Sequence, residues 1–302
     1  MGDNLRVSVI VSTYTTERKN DVLRSITSLK KQSYEPYEVL LVLDPVDELV
    51  DFYTELLRDM ETVKIVKSSG FGLSNARNSG INHANGDIVA FIDDDAWADE
   101  RWLENMVKNY EDKDVWGVGG KIVPVFDTRR PRWLPEELDW IVGCTYKGMP
   151  ETKTEVRNPI GANMSFRKEA FEVAGLFSSE IGRYGRKLVG SEEAEFSMRL
   201  KMIKPEIRIV YEPQAIVYHR VPENRTEFRY ALRRAYYEGI SKAILGKKYP
   251  LNTEYKYLSN LLKTVIYKII EVKFYEVVGI VAIIALVGIG NFIGKMGVRK
   301  GV

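Results

Sequence analysis

Gly86-Asp87-Ile88-Val89-Ala90-Phe91-Ile92-Asp93-Asp94-Asp95 is the stretch on which the fold of this chain turns. A turn dipeptide opens a short apolar run, and the run ends in three consecutive carboxylates. The run has the length and composition of a buried strand. Carboxylates at the carboxyl edge of a parallel strand point into the crevice where open α/β sheets bind ligands, and two of them one residue apart can share a divalent cation. That arrangement suits a metal held against a diphosphate. The plainer alternative is a helix cap followed by solvated acids, with Asp95 or Asp99 capping a helix implied by Trp102, Leu103 and Met106. On this stretch alone both stay open.

Working outward, strand and helix signals alternate through the first hundred or so residues. Val7 to Ser12, Glu38 to Leu43 and Val63 to Val66 are apolar runs; Val22, Ile26 and Leu29, then Leu49, Tyr53, Leu56 and Leu57, mark helix faces. Asn75 to Ala84 has the pattern of a helix. This alternation implies right-handed crossovers and an α/β layer with a mostly parallel sheet. The loop after the first strand, Ser12-Thr13-Tyr14-Thr15-Thr16-Glu17-Arg18, has no Gly-x-Gly-x-x-Gly, and no Walker sequence occurs, which argues against a dinucleotide oxidoreductase. From Trp116 to Pro124 the pattern changes, and glycines and prolines mark loops, with further helices expected at 168–174 and 191–202.

A chain of 302 residues with 45% hydrophobic and 28% charged residues is long enough for a sizeable core. Its net charge of +2 excludes a strongly basic nucleic-acid binder. The single cysteine, Cys144, excludes an internal disulfide framework and favours a cytosolic setting. The N-terminus has no secretory pattern. At the other end, the 18 residues from Val277 to Gly294 carry no charge, which reaches the length of a spanning helix. Before it, Tyr257 to Glu276 has leucine and isoleucine at helical spacing, interrupted by Lys263, Lys268 and Lys273, as in a basic amphipathic helix at a bilayer interface. Lys295, Arg299 and Lys300 could anchor a spanning or a re-entrant helix, and two helices packed on the globular core remain the alternative.

Four further places carry chemistry. Asp44 closes the second strand, in the row of strand ends that holds Thr13 and Asp93, where a carboxylate can accept from a ring N–H; an Asp-Pro turn explains it equally well. Arg77 lies near the start of a helix, where anions are favoured, or is a solvated helix-face arginine. In Ser191-Glu192-Glu193-Ala194-Glu195, the spacing puts Glu192, Glu195 and Arg199 on one stripe and turns Glu193 elsewhere, leaving Glu193 as candidate base. First-turn acids that merely complement a helix dipole are the rival reading. His219, after the apolar Ala215 to Tyr218, is a structural histidine or completes a metal shell begun by Asp95.

Taken in order, V-S-V-I-V-S-T-Y at 7–14, Asp44, L-S-N-A-R-N-S-G-I at 73–81, D-D-D at 93–95 and E-E-A-E-F at 192–196 resemble glycosyltransferase family 2, of GT-A fold. The resemblance covers roughly residues 5–226. It implies that Thr13, Tyr14, Glu17, Asp44, Arg77, Asp93 and Asp94 bind a nucleotide-sugar donor, that Asp93, Asp95 and His219 hold Mn²⁺ or Mg²⁺, and that Glu193, or its neighbour Glu192, is the base of an inverting displacement. Glutamate stands where the family's later motif usually has aspartate, and Pro45 replaces a second acid beside Asp44. Arg132 to Trp140 and Gly161 to Arg167 are similar to archaeal glucuronosyltransferases acting on dolichol-linked sugars in protein N-glycosylation. Trp133, Trp140 and Asn163 then fall at the acceptor, and Arg183 or Arg186 against a donor carboxylate.

The expected organisation is a nucleotide-sugar half at 1–115, an acceptor half at 116–226 and a helical membrane-association region at 227–302. The expected activity is metal-dependent transfer from a UDP-sugar to a hydroxyl of a lipid-linked saccharide, by a membrane-associated enzyme whose catalytic domain is cytoplasmic. Transfer straight to dolichyl phosphate, or nucleotide-sugar binding without turnover, are the alternatives; a phosphate oxygen is already ionised and needs no base, so Glu193 favours a hydroxyl.

Overall fold

Val7–Thr13, Glu38–Leu43 and Ile88–Asp93 carry apolar residues on both faces, so both must leave water, and helices cover both. The computed structural model describes residues 5–60, 62–179 and 190–298. Its strands are β1 (Val7–Thr13), β2 (Glu38–Leu43), β3 (Val63–Lys67), β4 (Ile88–Asp93), β5 (Ala96–Ala98), β6 (Val115–Phe126), β7 (Thr154–Glu155), β8 (Asn163–Arg167) and β9 (Arg208–Val221). Its helices are α1 (Lys19–Leu29), α2 (Asp47–Leu56), α3 (Leu73–His83), α4 (Trp102–Val107), α5 (Lys168–Ala174), α6 (Glu192–Ile203), α7 (Phe228–Leu245), α8 (Asn252–Ile270) and α9 (Phe274–Val298). The chain divides into two compact units, one of residues 1–123, 150–184 and 192–219, the other of 124–149, 185–191 and 220–302.

Strand order is β3-β2-β1-β4-β8-β6-β9-β5, with β7 beside β9. The parallel pairing expected from the strand–helix alternation holds over β3-β2-β1-β4. From β4 onward the β4–β8, β6–β8, β5–β9 and β7–β9 ladders are antiparallel, so the sheet is mixed. The reason is local: no α-helix lies between β6 and β8 among the described residues, and a parallel return needs such a crossover.

Alternate residues of the strands feed two cores in the first unit. Val9, Val11, Val39 and Leu41 pack with Val22 and Ile26 of α1, Tyr53 of α2 and Trp102 of α4. Ile10, Leu40, Val42 and Phe91 pack with Ile81 of α3, Phe171 of α5 and Phe196 of α6. Helices α1, α2 and α4 therefore cover one face and α3, α5 and α6 the other. The open line of strand ends between these layers is where the acids emerge.

The second unit is held by helix contacts and buried ion pairs. A Cβ on Gly290 would sit 2.0 Å from the Tyr236 carbonyl oxygen, and one on Gly239 would sit 2.2 Å from that of Val287, so α7 and α9 touch backbone to backbone. Glu238 pairs with Arg234 at 2.9 Å and Lys242 at 3.0 Å. Burial alone would raise the Glu238 carboxyl, but Lys242 and Arg234 outweigh it and bring it down to about 2. The amphipathic pattern expected to run to Glu276 stops at Ile270: Val272, at φ 58°, turns the chain from α8 into α9. Among the described residues α9 is the one helix long and apolar enough to cross a membrane, with mean hydropathy 2.5.

Glu38 ties the parallel strands together. Its carboxylate accepts from Ser8 Oγ, the Asn85 N–H and Lys64 Nζ, each at 2.7 Å. Burial works against the charge, but the Lys64 and Asn85 bonds outweigh it and hold the carboxyl below its ordinary 4.5. A depressed acid contributes stability above its unfolded pKa and loses it as pH falls through the folded one. Glu38→Gln is therefore expected to lower unfolding free energy by about 1–3 kcal/mol at pH 7. That difference should shrink below pH 4.5, as urea titrations at pH 7 and pH 3.5 would measure.

Candidate active site

Register decides what meets at the strand ends. Ser12 of β1 lies opposite Asp93, Thr13 lies opposite Leu43, and the Asp44 N–H donates to the Thr13 carbonyl at 3.3 Å, so Thr13, Asp44 and Asp93 share one row. The acids do not run into a helix cap. Residues 96–98 form β5 instead, antiparallel to β9, with Ala96 opposite His219. This places His219 Nε2 3.2 Å from Asp95 Oδ1. One ligand atom each from Asp93, Asp95 and His219 lies within 4.8 Å of the other two. Two hard carboxylate oxygens and one imidazole nitrogen, gathered this closely, fit Mn²⁺ or Mg²⁺. Asp93 is the more open of the two acids, its side chain 27% exposed against 5% for Asp95.

Asp94 turns away from that cluster toward the first loop. Its Oδ1 accepts from Arg18 at 2.6 Å, and the same guanidinium nitrogen lies 3.3 Å from Asp95 Oδ2. Burial first, and repulsion from Asp95 second, push the Asp94 carboxyl up to about 6, with Arg18 pulling the other way. Arg18 also lies over the ring of Tyr14, which is 61% exposed. Thr13 is buried and Glu17 exposed. Burial raises the Asp44 carboxyl, against a 3.3 Å bond from the Gly72 N–H.

Arg77 is buried, and its guanidinium reaches Glu192 Oε1 at 2.8 Å, the Gly161 carbonyl at 3.0 Å and Asp93 Oδ1 at 3.4 Å. It joins the first turn of α6 to the end of β4. Glu195 binds Arg199 through both carboxylate oxygens at 2.9 Å, and Arg199 also donates to the Ala174 and Leu176 carbonyls. Two of the three glutamates in the α6 cluster are thus buried and tied to arginines, while Glu193 is half-buried.

The residues assigned to the acceptor lie in different surroundings. Asn163 is fully buried; it accepts from Trp102 Nε1 at 2.8 Å and donates to the Lys121 and Ala215 carbonyls at 2.9 Å. Trp133, in the second unit, packs edge-on to Phe228, and Trp140 Nε1 donates to Tyr257 Oη at 2.8 Å. Arg183 and Arg186 lie outside the described residues. Sequence reasoning passed over the Arg18 contacts and the Arg77–Glu192 pair. The signal for the first was a lone arginine in a strand-end loop that must face three acids.

Comparison with known proteins follows the same line. Residues 8–175 match the family described as Glycosyl transferase family 2. The chain is 37% identical over 262 residues to the glucosyl-dolichyl phosphate glucuronosyltransferase of Haloferax volcanii, an alignment covering 85% of this chain and 83% of that one. Two solved structures share the fold. The mannosyltransferase PcManGT from Pyrobaculum calidifontis, in complex with GDP-Man and Mn²⁺, gives a TM-score of 0.62 at 19% identity, covering 96% of this chain and 88% of that one. GalNAc-T7 with UDP, GalNAc and Mn²⁺ gives 0.57 at 15% identity, covering 86% of this chain and 55% of that one. With the family match spanning more than half of its length and a relative of this identity, the chain belongs to glycosyltransferase family 2.

Proposed function

We propose that this enzyme transfers a sugar, glucuronate in the first instance, from a UDP-sugar to a hydroxyl of a dolichyl-phosphate-linked saccharide, with inversion and at a membrane. The observation that carries the reading is the gathering of Asp93, Asp95 and His219 beside the end of the parallel strand β4, with Asp93 in one row with Asp44. In this reading Asp44 accepts from the nucleobase, with Tyr14 and Thr13 beside it, and the diphosphate lies against Asp93 and Asp95. A divalent cation bound there neutralises the charge that builds on the departing UDP.

The chain's own groups do the rest. Arg77 contacts both Asp93 and Glu192, which holds the first turn of α6 at the end of β4. Glu193, half-buried in the first turn of α6 and turned off the stripe that Glu195 and Arg199 share, takes the proton of the attacking hydroxyl. One displacement inverts the sugar carbon and needs no covalent nucleophile. Glucuronate and a glucosyl-dolichyl acceptor are supported by the name of the Haloferax relative. The catalytic unit faces the cytoplasm, whose anionic leaflet attracts the basic C-terminal segment.

Glu193→Gln is expected to reduce UDP release with a lipid-linked glucosyl acceptor by about 10²–10⁴-fold. UDP binding, followed by calorimetry, should be unchanged; near-normal turnover would remove Glu193 from the mechanism. His219→Ala should weaken Mn²⁺ binding in the presence of UDP by at least the roughly 10–100-fold that loss of an outer-shell partner costs. Titration of the Mn²⁺ resonance signal measures it, and unaltered affinity would place the ion elsewhere.

A further inference from the structure

Helix α9 has the composition of a spanning helix, yet one of its stripes is already occupied. Gly279, Ile280, Ile283, Gly290 and Gly294 are buried, and their spacing follows a single stripe along the helix. Gly290 lies against the backbone of Tyr236, Gly294 against Ala243, and Asn291 Nδ2 donates to the Gly239 carbonyl at 3.4 Å. Gly279 meets the Trp133 carbonyl, and the helix pressed onto Gly290 and Gly294 is α7, which carries Arg229, Arg233, Arg234, Glu238 and Lys242. Within it Glu238 joins Arg234 and Lys242, and Lys242 reaches Glu254 at 3.2 Å.

Length decides what this permits. A bilayer-crossing α9 would place its midpoint, near Leu286, at the bilayer centre. At about 1.5 Å per residue, Gly290 to Gly294 would then lie within about 12 Å of the midplane, inside the roughly 15 Å half-thickness of the hydrocarbon. The α7 turns that touch them would be carried in, and with them the exposed Arg233 and Arg229, one and two turns before Tyr236, where charges are expelled unless they line water or protein.

The opposite side of α9 is apolar and open: Val278, Val281, Ile289, Phe292 and Met296 are 48% to 64% exposed. On α8, Leu258, Leu262, Ile266 and Ile269 form a second exposed stripe, and the exposed Lys256 and Lys263 lie along its edge. That is the pattern of a helix whose apolar side enters the acyl boundary while lysines reach back to the phosphates. Charge agrees: residues 251–302 hold seven Lys and Arg and three Asp and Glu, a net of +4 in a chain of net +2.

We propose that α8 and α9 dock in the plane of an anionic lipid leaflet, outward faces at the headgroup–acyl boundary, and that α9 does not cross it. This deepens the membrane part of the proposed function but stands on the second unit alone, independent of the chemistry at Asp93.

The test uses the full chain with vesicles of phosphatidylcholine and of a 7:3 mixture with phosphatidylglycerol. The chain should co-float with the anionic vesicles, and Lys256→Gln with Lys263→Gln should weaken that partition by about 30-fold. Spin labels placed one at a time through Val278→Cys, Ala285→Cys and Phe292→Cys should report one shallow depth, Cys144 being buried and protected from labelling. A depth maximum at Ala285 with shallow flanks means a spanning helix and overturns the proposal. So does failure to float together with self-association in buffer, which would assign the face to a second copy. UDP release in detergent needs no vesicle, so the catalytic reading can survive while this one fails.

Discussion

Adjacent carboxylates repel, and the first unit is arranged around offsetting that repulsion. Each counter-group arrives from a different element: Arg18 from the first loop, Arg77 from α3, His219 from β9. Asp93, Asp94, Asp95 and Glu192 face the two guanidiniums of Arg18 and Arg77, so acids outnumber arginines around this strand end. An excess of acid of this kind suits a divalent cation. The low local dielectric makes this balance matter, because a buried charge left without a partner is far more costly than the pair is favourable. The same balance explains why the Asp94 carboxyl is raised although Arg18 holds it, and why Asp93, only 3.4 Å from Arg77, is the more open acid.

How much of this was legible depends on whether the interaction is local. Buried parallel strands appear as unbroken apolar runs and helices as stripes, so β1, β2, β4 and the helices between them could be read directly. The i, i+4 pair of Glu195 and Arg199 is also local, and its stripe sets Glu193 apart in the sequence itself. The three-residue β5 is too short to leave a pattern, and it alone carries the register that sets His219 beside Asp95. Arg18 meets Asp94 across 76 residues and Arg77 meets Glu192 across 115, distances over which no periodicity speaks. Aromatic residues are ambiguous for another reason: a tryptophan that stacks on a sugar and one that packs on Phe228, as Trp133 does, have the same composition signal.

The C-terminal helices show the limit of reading hydropathy one helix at a time. A hydropathy profile weighs the residues of α9 and sees a membrane span. It does not weigh the helix that Gly239, Gly290 and Gly294 allow to come within backbone contact. Once α9 is considered with its charged neighbour, the pair is amphipathic as a body although α9 by itself is not, and its environment follows from the pair.

The pairing of Ala96 with His219 also has a consequence in time. The acidic run is synthesised early, and its third donor only when the ninth strand is made, more than a hundred residues later. At about 5–20 residues per second the interval is on the order of ten seconds. Throughout it the nascent chain holds its strand-end acids without the imidazole that gathers beside them in the folded chain. The three-residue cluster thus forms only with the ninth strand, and an unfinished chain carries the acidic motif without it.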